Sequence, residues 1–456
     1  MIKKHFKRIT LLVLAIFVVS SGFSCKGISC TNKEELKPVT LEVWGVWDSS
    51  SQFFPLIKAY TQSHPTIKVN YKQFRYDEYE RKLLEAWADD RGPDIFAVPV
   101  TWLKNYQKRL EPIPAQMTIP VQEMQGSIKQ ELITTLKTFP GLRARDINRT
   151  FVPVVYEDVI IDDQVYALPY YLDTLVTFYN EDLLRQNGIS QPIADFHDLI
   201  EQTPKLSRAT EDGRVYQSAV AMGGTENIPR FFDILASIMQ QYELNVKGNY
   251  FDPMGSQGGK DKLKEVLGFY TDFASPGRVS YSWNKDMDNA FELFVQGRLA
   301  YLFGYSYHYD ELKERNLQFK WDVTNFPQLR GAEGSKYYAD YWVYGVSKKS
   351  ANKDAAWNFV QTTATDQEII KQYLTQNKKP TALRALIDEQ LETEEIEIFA
   401  SQVLTAENWY NGYDIVSAER YTAEIIEGLL YGDMTMESAV GLFVDRINQT
   451  YRKPNE

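Results

Sequence analysis

The chain has 456 residues, of which 44% are hydrophobic and 24% charged, a balance that predicts a globular protein of about two to four domains. Its formal net charge of −11 argues against a nucleic-acid partner, because binding phosphates requires clusters of basic residues. The four histidines are scattered and both cysteines lie within the first 30 residues, so the sequence predicts no transition-metal site and no cofactor.

The first 25 residues have the pattern of an export signal. Four basic residues lie among the first eight, an apolar run covers residues 9–19, and small residues precede Cys25. The run is too short for a comfortable membrane span. It resembles a bacterial lipoprotein signal, which implies removal of residues 1–24, a lipid on Cys25 and a tether at residues 25–39. Lipidation of Cys30, a disulfide between the two cysteines and an uncleaved anchor remain alternatives.

Strand and helix patterns alternate through residues 40–98. We predict strands at residues 40–47, 67–71 and 94–98, with helices between them. Strands joined by helices imply right-handed crossovers and a parallel sheet. Ligands of such sheets lie beyond the carboxyl ends of the strands, so this rule selects Trp47, Asp48 and Trp102 as candidates. For Trp102, packing of a helix face against the domain is an equal alternative.

Five prolines interrupt residues 110–163. Proline restricts its own backbone and removes a hydrogen-bond donor, so long regular elements are not expected in this stretch. We predict that it wraps around the first domain with short helices, including one that contains Leu132 and Leu136.

Residues 166–180, YALPYYLDTLVTFYN, combine a proline-stiffened entry with an apolar run that predicts a buried strand. This stretch resembles extracellular solute-binding proteins of family 1, the sugar-binding receptors of ABC importers. The acidic position of the family motif matches Asp173, and residues 179–184 match the remainder with Glu181 in place of the usual lysine. In that family the chain passes from the first lobe to the second at this motif.

Later stretches resemble further motifs of the same family. Residues 291–307, FELFVQGRLAYLFGYSY, match one motif with Tyr305 and Tyr307 where tryptophan is usual. Residues 319–327, 337–346 and 353–360 match others, and Trp342 falls close to the expected cleft. The order of the motifs agrees from about residue 41 to residue 450.

The resemblance implies an α/β fold of two lobes, similar to periplasmic binding proteins, with three crossovers between the lobes and a central ligand cleft. We expect lobe one to comprise residues 40–172 and 305–342. Lobe two should comprise residues 173–304 and 343–456.

The implied function is an extracytoplasmic receptor that captures a carbohydrate, preferably an oligosaccharide, and delivers it to ABC permease subunits by lobe closure. Such a receptor would be a monomer, held on the membrane by its lipid. Sugars present C–H faces to aromatic rings and hydroxyl rims to carboxylates and amides. The predicted ligand-binding residues are Trp47, Asp48, Trp102, Tyr171, Asp173, Trp283, Tyr305, Tyr307, Trp342 and Trp409.

Two other functions use the same residue types. Paired carboxylates beside aromatic side chains also describe an enzyme that acts on polysaccharides, although the sequence places no pair at a defined separation. A surface receptor for a different solute, such as a peptide, is the second alternative. We predict no catalytic residues.

Overall fold

A computed structural model describes residues 37–126, 130–211, 214–244, 250–253 and 258–453. The proposed signal peptide, Cys25, Cys30 and all but the last residues of the tether lie outside the described residues. Within the described part of the chain, no helix combines the length and apolar character that crossing a membrane requires.

Lobe one is the set of elements around the first of two hydrophobic cores. Its helices are α1 (Ser50–Ser63), α2 (Tyr76–Ala88), α3 (Leu103–Tyr106), α4 (Ala144–Thr150), α5 (Pro153–Val159), α12 (Lys353–Thr365), α13 (Gln367–Asn377) and α14 (Ile387–Leu391). Its strands are β1 (Val39–Gly45), β2 (Ile67–Gln73), β3 (Ile95–Pro99), β4 (Leu110–Glu111), β5 (Gln116–Gln125), β6 (Glu131–Pro140), β7 (Ile160–Ile161), β8 (Gln164–Val165), β9 (Leu168–Pro169) and β17 (Trp342–Ser347).

The main sheet of lobe one has the order β2-β1-β3-β17-β4, with β9 also paired to β17. Strand β1 is parallel to β2 and to β3, with Val39 opposite Ile67 and Val43 opposite Ile95. Every residue of β3 is buried, as expected for a strand covered on both faces. The predicted parallel arrangement of these three strands is therefore confirmed.

The prediction of short helices at Leu132 and Leu136 is wrong. Strands β5 and β6 form a long antiparallel hairpin, in which Met124 lies opposite Leu132 and Pro120 opposite Leu136. One isoleucine and three threonines lie among the 10 residues of β6, and such β-branched side chains favour strands over helices. Packing also favours the hairpin, since Met117 and Ile119 of β5 are fully buried in lobe one.

Lobe two surrounds the second hydrophobic core. Its helices are α6 (Glu181–Gln186), α7 (Phe196–Leu206), α8 (Phe231–Gln241), α9 (Gly259–Asp272), α10 (Ala290–Val295), α11 (Ser306–Glu314), α15 (Glu397–Gln402), α16 (Ile415–Leu430) and α17 (Met436–Thr450). Its strands are β11 (Val176–Asn180), β12 (Arg208–Ala209), β13 (Val215–Val220), β14 (Leu299–Gly304) and β15 (Trp321–Asn325), arranged in the order β12-β13-β14-β11-β15.

A small sheet joins the lobes. It contains β10 (Asp173–Thr174), β16 (Tyr337–Asp340) and β18 (Ala406–Glu407), in the order β10-β16-β18. Strands β10 and β16 lie where the chain passes from one core to the other. The third passage lies between α14 of lobe one and α15 of lobe two, after which Val403 and Ala406 still pack against the first core before the chain continues into lobe two at Trp409. By this assignment of elements the chain crosses between the lobes three times. This hinge is where relative movement of the lobes would be absorbed.

The second and third crossovers lie later in the chain than the sequence predicted. Tyr305, Leu312 and Phe326 belong to the core of lobe two, although residues 305–342 were expected in lobe one. Trp357 and Phe359 of α12 belong to the core of lobe one, although residues 343–456 were expected in lobe two. The physical reason is that β14 pairs with β11, whereas β17 pairs with β3, so each strand carries the following helix to its own lobe.

Candidate functional site

Aromatic side chains from lobe one meet at the carboxyl ends of its parallel strands. Trp47 follows β1, Tyr76 begins α2 after β2, and Trp342 begins β17 beside the end of β3. The ring centroids of Trp47 and Tyr76 are 5.6 Å apart, and those of Trp47 and Trp342 are 6.0 Å apart at a right angle. Trp102 extends this cluster, with its ring centroid 6.5 Å from that of Trp342.

Two tyrosines from lobe two face this cluster. Tyr305 and Tyr307 follow β14, and their rings are stacked with centroids 6.2 Å apart. The ring of Tyr307 is nearly parallel to that of Trp47, at 7° and a centroid distance of 6.4 Å. The indole of Trp47 is nevertheless 51% exposed, unusual for tryptophan and suited to contact with a ligand. We call these rings, together with Tyr76, Trp102 and Trp342, the aromatic cleft.

A polar group centred on Arg230 forms the lobe-two side of the aromatic cleft. The guanidinium lies 3.3 Å from a carboxylate oxygen of Asp233 and 3.3 Å from one of Asp340. It also donates a 2.6 Å hydrogen bond to the hydroxyl of Tyr307 and lies over the ring of Tyr305. The hydroxyl of Tyr305 donates to Asp233 at 2.8 Å. Residues of lobe two and of the hinge are thus fixed relative to one another.

Carboxylates outnumber the single arginine in this polar group. Burial raises the pKa of Asp233 to about 6, against the opposing effect of Arg230. Partial desolvation raises the pKa of Glu419, on α16, to about 7 although the residue is exposed overall, and repulsion from Asp233 and Asp340 acts in the same direction. Among the hydrogen bonds of the described residues, none involves the Glu419 carboxylate, so this group is available to a ligand.

Asp48 and Asp173 are buried and already accept hydrogen bonds from the protein. Asp48 accepts a 2.8 Å bond from the hydroxyl of Tyr373, and burial raises its pKa. Asp173 accepts from the backbone N–H of Ser306 at 3.0 Å and from its hydroxyl at 2.6 Å. Burial raises the pKa of Asp173 to about 6. Asp173 therefore caps the first turn of α11 and ties the first crossover to lobe two.

Trp283 and Trp409 do not reach the cleft. Trp283 is fully buried, and its indole N–H donates to the side-chain oxygen of Asn227 at 2.7 Å. Trp409 is 3% exposed and donates to the backbone oxygen of Leu244 at 2.7 Å. Both indoles pack within the core of lobe two, so the structure brings neither of these predicted residues to the aromatic cleft.

The other predicted residues come together around one region. Trp47, Trp102, Tyr305, Tyr307 and Trp342 belong to the aromatic cleft, while Asp48, Tyr171 and Asp173 lie deeper, next to the hinge. Tyr171 is buried, and its hydroxyl makes no hydrogen bond with the described part of the protein.

Sequence reasoning missed Tyr76, Arg230, Asp233, Asp340 and Glu419. For Tyr76 a signal was present, because it follows the second predicted strand and the rule of carboxyl ends applies to it. Arg230 and Asp233 lie three residues apart at the start of a largely apolar helix. Two charged residues in such a place are also a signal that the sequence offered. Nothing in the local pattern distinguishes Glu419 from the other charged residues of α16.

A separate cavity of about 820 Å³ adjoins this region. It lies between the segment after β3 and the loop before α16, and is lined by residues that include Thr101, Asp158 and Tyr413. It lacks the exposed aromatic rings of the cleft. A group formed by Asp195, His197 and Asp198 has carboxylate and imidazole atoms close enough for a metal ion, but the two carboxylates accept hydrogen bonds from Arg330.

Two lobes with separate cores, three crossovers and a polar, aromatic site between them define the class of two-lobed binding proteins. The sequence profile of the bacterial extracellular solute-binding proteins matches residues 47–369. The chain therefore belongs to this family.

Several characterised proteins are similar to this chain. The maltotriose-binding protein of Pyrococcus abyssi is 24% identical over 326 residues, which cover 70% of this chain and 61% of that protein. The galactooligosaccharide-binding protein of Bacillus subtilis is 19% identical over 393 residues, 82% of each chain. The structure of the sugar-binding protein MalE from Xanthomonas citri superposes with a TM-score of 0.69 at 19% identity, covering 90% of this chain and 97% of that one. This superposition supports the two-lobed fold.

Proposed function

We propose that this protein captures an oligosaccharide outside the cytoplasm and delivers it to the permease subunits of an ABC importer. The observation that carries the proposal is the pairing of exposed aromatic rings with unpartnered polar groups in one cleft between two lobes. Family membership supports the extracytoplasmic role, and the names of the relatives from Pyrococcus and Bacillus support the class of ligand.

The aromatic rings suit the C–H faces of sugar rings. Tyr76 and Trp47 are both more than half exposed, although large aromatic side chains usually bury most of their surface. Trp342 and Tyr307 support the Trp47 ring from two sides, which lowers the entropy lost when a ligand stacks on it. A row of rings from several elements fits an elongated saccharide better than a single sugar.

The polar groups suit the hydroxyl rims. Glu419 offers acceptors, and the hydroxyls of Tyr171 and Tyr338 make no hydrogen bond with the described residues. Both tyrosines are largely buried, but neither hydroxyl oxygen is among the fully buried polar atoms that lack a hydrogen bond in the described residues, so each is open to a ligand. Sugar hydroxyls donate and accept, so one ligand can satisfy all three groups.

A ligand panel tests this proposal. We would measure melting temperature with maltotriose, a galactotriose, mannotriose, the corresponding monosaccharides and a tripeptide, followed by titration calorimetry of each compound that stabilises the protein. A ligand that binds only the folded state raises the melting temperature. We expect at least one neutral trisaccharide to bind. Stabilisation by the peptide alone would contradict the proposal.

We also propose that the protein binds its ligand without chemical change. The aromatic cleft holds several carboxylates, but Asp233 and Asp340 are engaged by Arg230, and Asp173 is engaged by Ser306. Prolonged incubation with the trisaccharide that binds should leave its mass and concentration unchanged. Release of shorter sugars would instead support a polysaccharide-acting enzyme.

Anchoring at Cys25 remains part of the proposal, supported by the basic, apolar and small-residue order of the first 25 residues. The change Cys25→Ala should release the protein from membranes, whereas Cys30→Ala should not. Release by Cys30→Ala alone would identify the second cysteine as the anchor. Retention of both variants would indicate an uncleaved anchor.

A further inference from the structure

Lys379 brings a largely buried side chain to Tyr171, next to the hinge, and its ammonium nitrogen is not among the fully buried polar atoms that lack a hydrogen bond in the described residues. It follows α13, and its neighbour Pro380 accepts a 3.1 Å hydrogen bond from the backbone N–H of Leu172 at the first crossover. Only 9% of the Lys379 residue is exposed. Lysine is rarely buried to this degree unless its charge is paired and hydrogen-bonded.

The ammonium group of Lys379 has no such pairing in the described part of the protein. It lies 5.1 Å from the ring centroid of Tyr171, and it attracts the carboxylates of Asp48 and Asp173 from a distance. No carboxylate oxygen of the described residues lies within ion-pair distance of it, and it makes no hydrogen bond with them. The adjacent Lys378 differs, because its ammonium pairs with Glu395 at 3.1 Å.

The nearby carboxylates are directed to other partners. Asp48 accepts from Tyr373, while Asp173 accepts from Ser306 and from the backbone N–H of Thr174. They balance the charge of Lys379 without filling its three donor positions. The side chain is therefore held in a neutralised environment with its hydrogen-bonding capacity unused.

This position is continuous with the aromatic cleft through Tyr171. One side of the Tyr171 ring faces Lys379, and the phenol is also within electrostatic reach of Asp340 and Tyr307 from the polar group around Arg230. Tyr171 therefore connects the surroundings of Lys379 with Asp340 and Tyr307, which come from different parts of the chain.

We propose that Lys379 and Tyr171 form a deep subsite in which the Lys379 ammonium donates hydrogen bonds to hydroxyl oxygens of a neutral saccharide. The proposal rests on the carbohydrate-binding function proposed above and assigns one end of the ligand to a particular pair of residues. It makes Lys379 a ligand-binding residue, although it lies 206 residues after Asp173 of the first-crossover motif in the sequence.

The charge balance selects a neutral ligand over an anionic one. Lys379 is within electrostatic reach of Asp48, Asp173 and Asp310. Arg230 is surrounded in the same way by Asp233, Asp340 and Glu419. Lys378 is a second cation near Asp310, but the carboxylates outnumber the cations at each end of the site, so a ligand carboxylate would meet repulsion. Sugar hydroxyls can use the same cationic donors without that penalty.

The test compares Lys379→Met with Lys378→Met by titration calorimetry, using the neutral trisaccharide that the wild-type protein binds best among maltotriose, galactotriose and mannotriose. Methionine preserves much of the length of the side chain and removes the donors. We expect Lys379→Met to weaken binding by about tenfold or more, as loss of a hydrogen bond to a charged donor implies. Lys378→Met, which loses an exposed ion pair, should change the affinity by less than about twofold.

The outcomes separate this inference from the general function. Binding by the wild type with unchanged affinity in Lys379→Met would overturn the Lys379 subsite and leave the carbohydrate function standing. A lower melting temperature of unliganded Lys379→Met with wild-type affinity would show that the lysine serves only to balance the buried carboxylates. Failure of the wild type to bind any of the neutral trisaccharides would overturn both proposals.

An anionic probe tests the selectivity directly. Trigalacturonate should bind at least about tenfold more weakly than the neutral trisaccharide, because it carries carboxylates into a site already rich in them. Equal or tighter binding of trigalacturonate would overturn the assignment of a neutral ligand.

Discussion

At the scale of single residues, burial separates tryptophans that shape the cleft from those that hold the core. Trp47 is 51% exposed, whereas Trp283 is fully buried and Trp409 is 3% exposed. Each buried indole has its N–H satisfied by a protein oxygen, so neither has a polar group left for a ligand. Residue type is identical in all three, and only the surroundings differ.

This contrast predicts opposite effects for two alanine variants. Trp409→Ala should lower the free energy of unfolding by about 3–5 kcal/mol, because it empties a core position, and should leave the affinity of the folded protein unchanged. Trp47→Ala should weaken ligand binding while the melting temperature without ligand stays near that of the wild type. Denaturant titration and calorimetry on both variants would check this. Weaker ligand binding by folded Trp409→Ala would return that residue to the site.

Asp173 offers a second prediction at the residue scale. Asp173→Ala leaves the N–H and hydroxyl of Ser306 without their acceptor at the start of α11, so the free energy of unfolding should fall by about 1–3 kcal/mol. Asp173→Asn keeps an acceptor oxygen and should retain part of that stability. Denaturant unfolding of the two variants measures the difference. Equal stability of Asp173→Ala and the wild type would show that the cap contributes nothing.

At the scale of elements, the helices nearest the cleft are oriented by their first turns. Helix α1 begins directly after Trp47 and Asp48, and it is closed by a capping box in which Ser49 and Gln52 exchange hydrogen bonds. The cap satisfies backbone N–H groups that the helix itself cannot. The position of the Trp47 loop thus depends on a local interaction that the sequence specifies.

The cap of α1 leads to a prediction with a close control. Ser49→Ala should lower the free energy of unfolding by about 0.5–2 kcal/mol, since the side-chain acceptor is lost. The exposed neighbour Ser50 makes no side-chain hydrogen bond in the described structure, so Ser50→Ala should change stability by less than about 0.5 kcal/mol. Denaturant titration compares them, and equal effects would contradict a specific role of the cap.

At the scale of the whole molecule, two separate cores are joined by the short strands of the hinge. Contacts such as those of Trp47 with Tyr307 span the lobes, and a ligand that binds both sides favours the closed arrangement. Small-angle scattering should therefore give a smaller radius of gyration at saturating ligand. Identical curves with and without ligand would argue against closure.

Stability should also depend on pH through Asp158, next to the hinge. Burial raises the pKa of Asp158 to about 7, and its carboxylate accepts a 2.7 Å hydrogen bond from Tyr341. Between pH 4 and 7 the folded state then binds more protons than the unfolded state. The contribution of Asp158 to the free energy of unfolding therefore falls as the pH rises from 4 to 7, and it is constant above pH 7.

The variant Asp158→Asn removes this titration and keeps an acceptor for Tyr341. Each unit by which the pKa is raised costs the ionised wild-type protein about 1.4 kcal/mol of stability. Asp158 is partly exposed, so solvent screening reduces this cost, and we expect the free energy of unfolding of Asp158→Asn at pH 8 to exceed that of the wild type by about 1–2 kcal/mol. The gain should vanish near pH 4. Denaturant titrations at the two pH values measure it, and a pH-independent difference would contradict the assignment.

Local patterns were sufficient to predict the elements that carry their own signals. The strands at β1, β2 and β3, the helix at α2 and the crossover at Asp173 all follow from periodicity, from turn residues or from a motif. The hairpin of β5 and β6 was missed because prolines were interpreted as interruptions. Pro120 lies within β5 near its packed end, where the pairing tolerates it.

The sequence by itself determined the order of the elements, the resemblance to solute-binding proteins and most of the rings in the aromatic cleft. Tertiary structure alone decided which tryptophans are buried, which lobe receives α12, and that Arg230 and Lys379 lie near the hinge. The physical reason is the separation along the chain over which each interaction acts. Periodicity and capping act over a few residues, whereas burial and charge neighbourhood depend on groups such as Asp48, Tyr171 and Lys379, which are far apart in the chain and adjacent only after the lobes have formed.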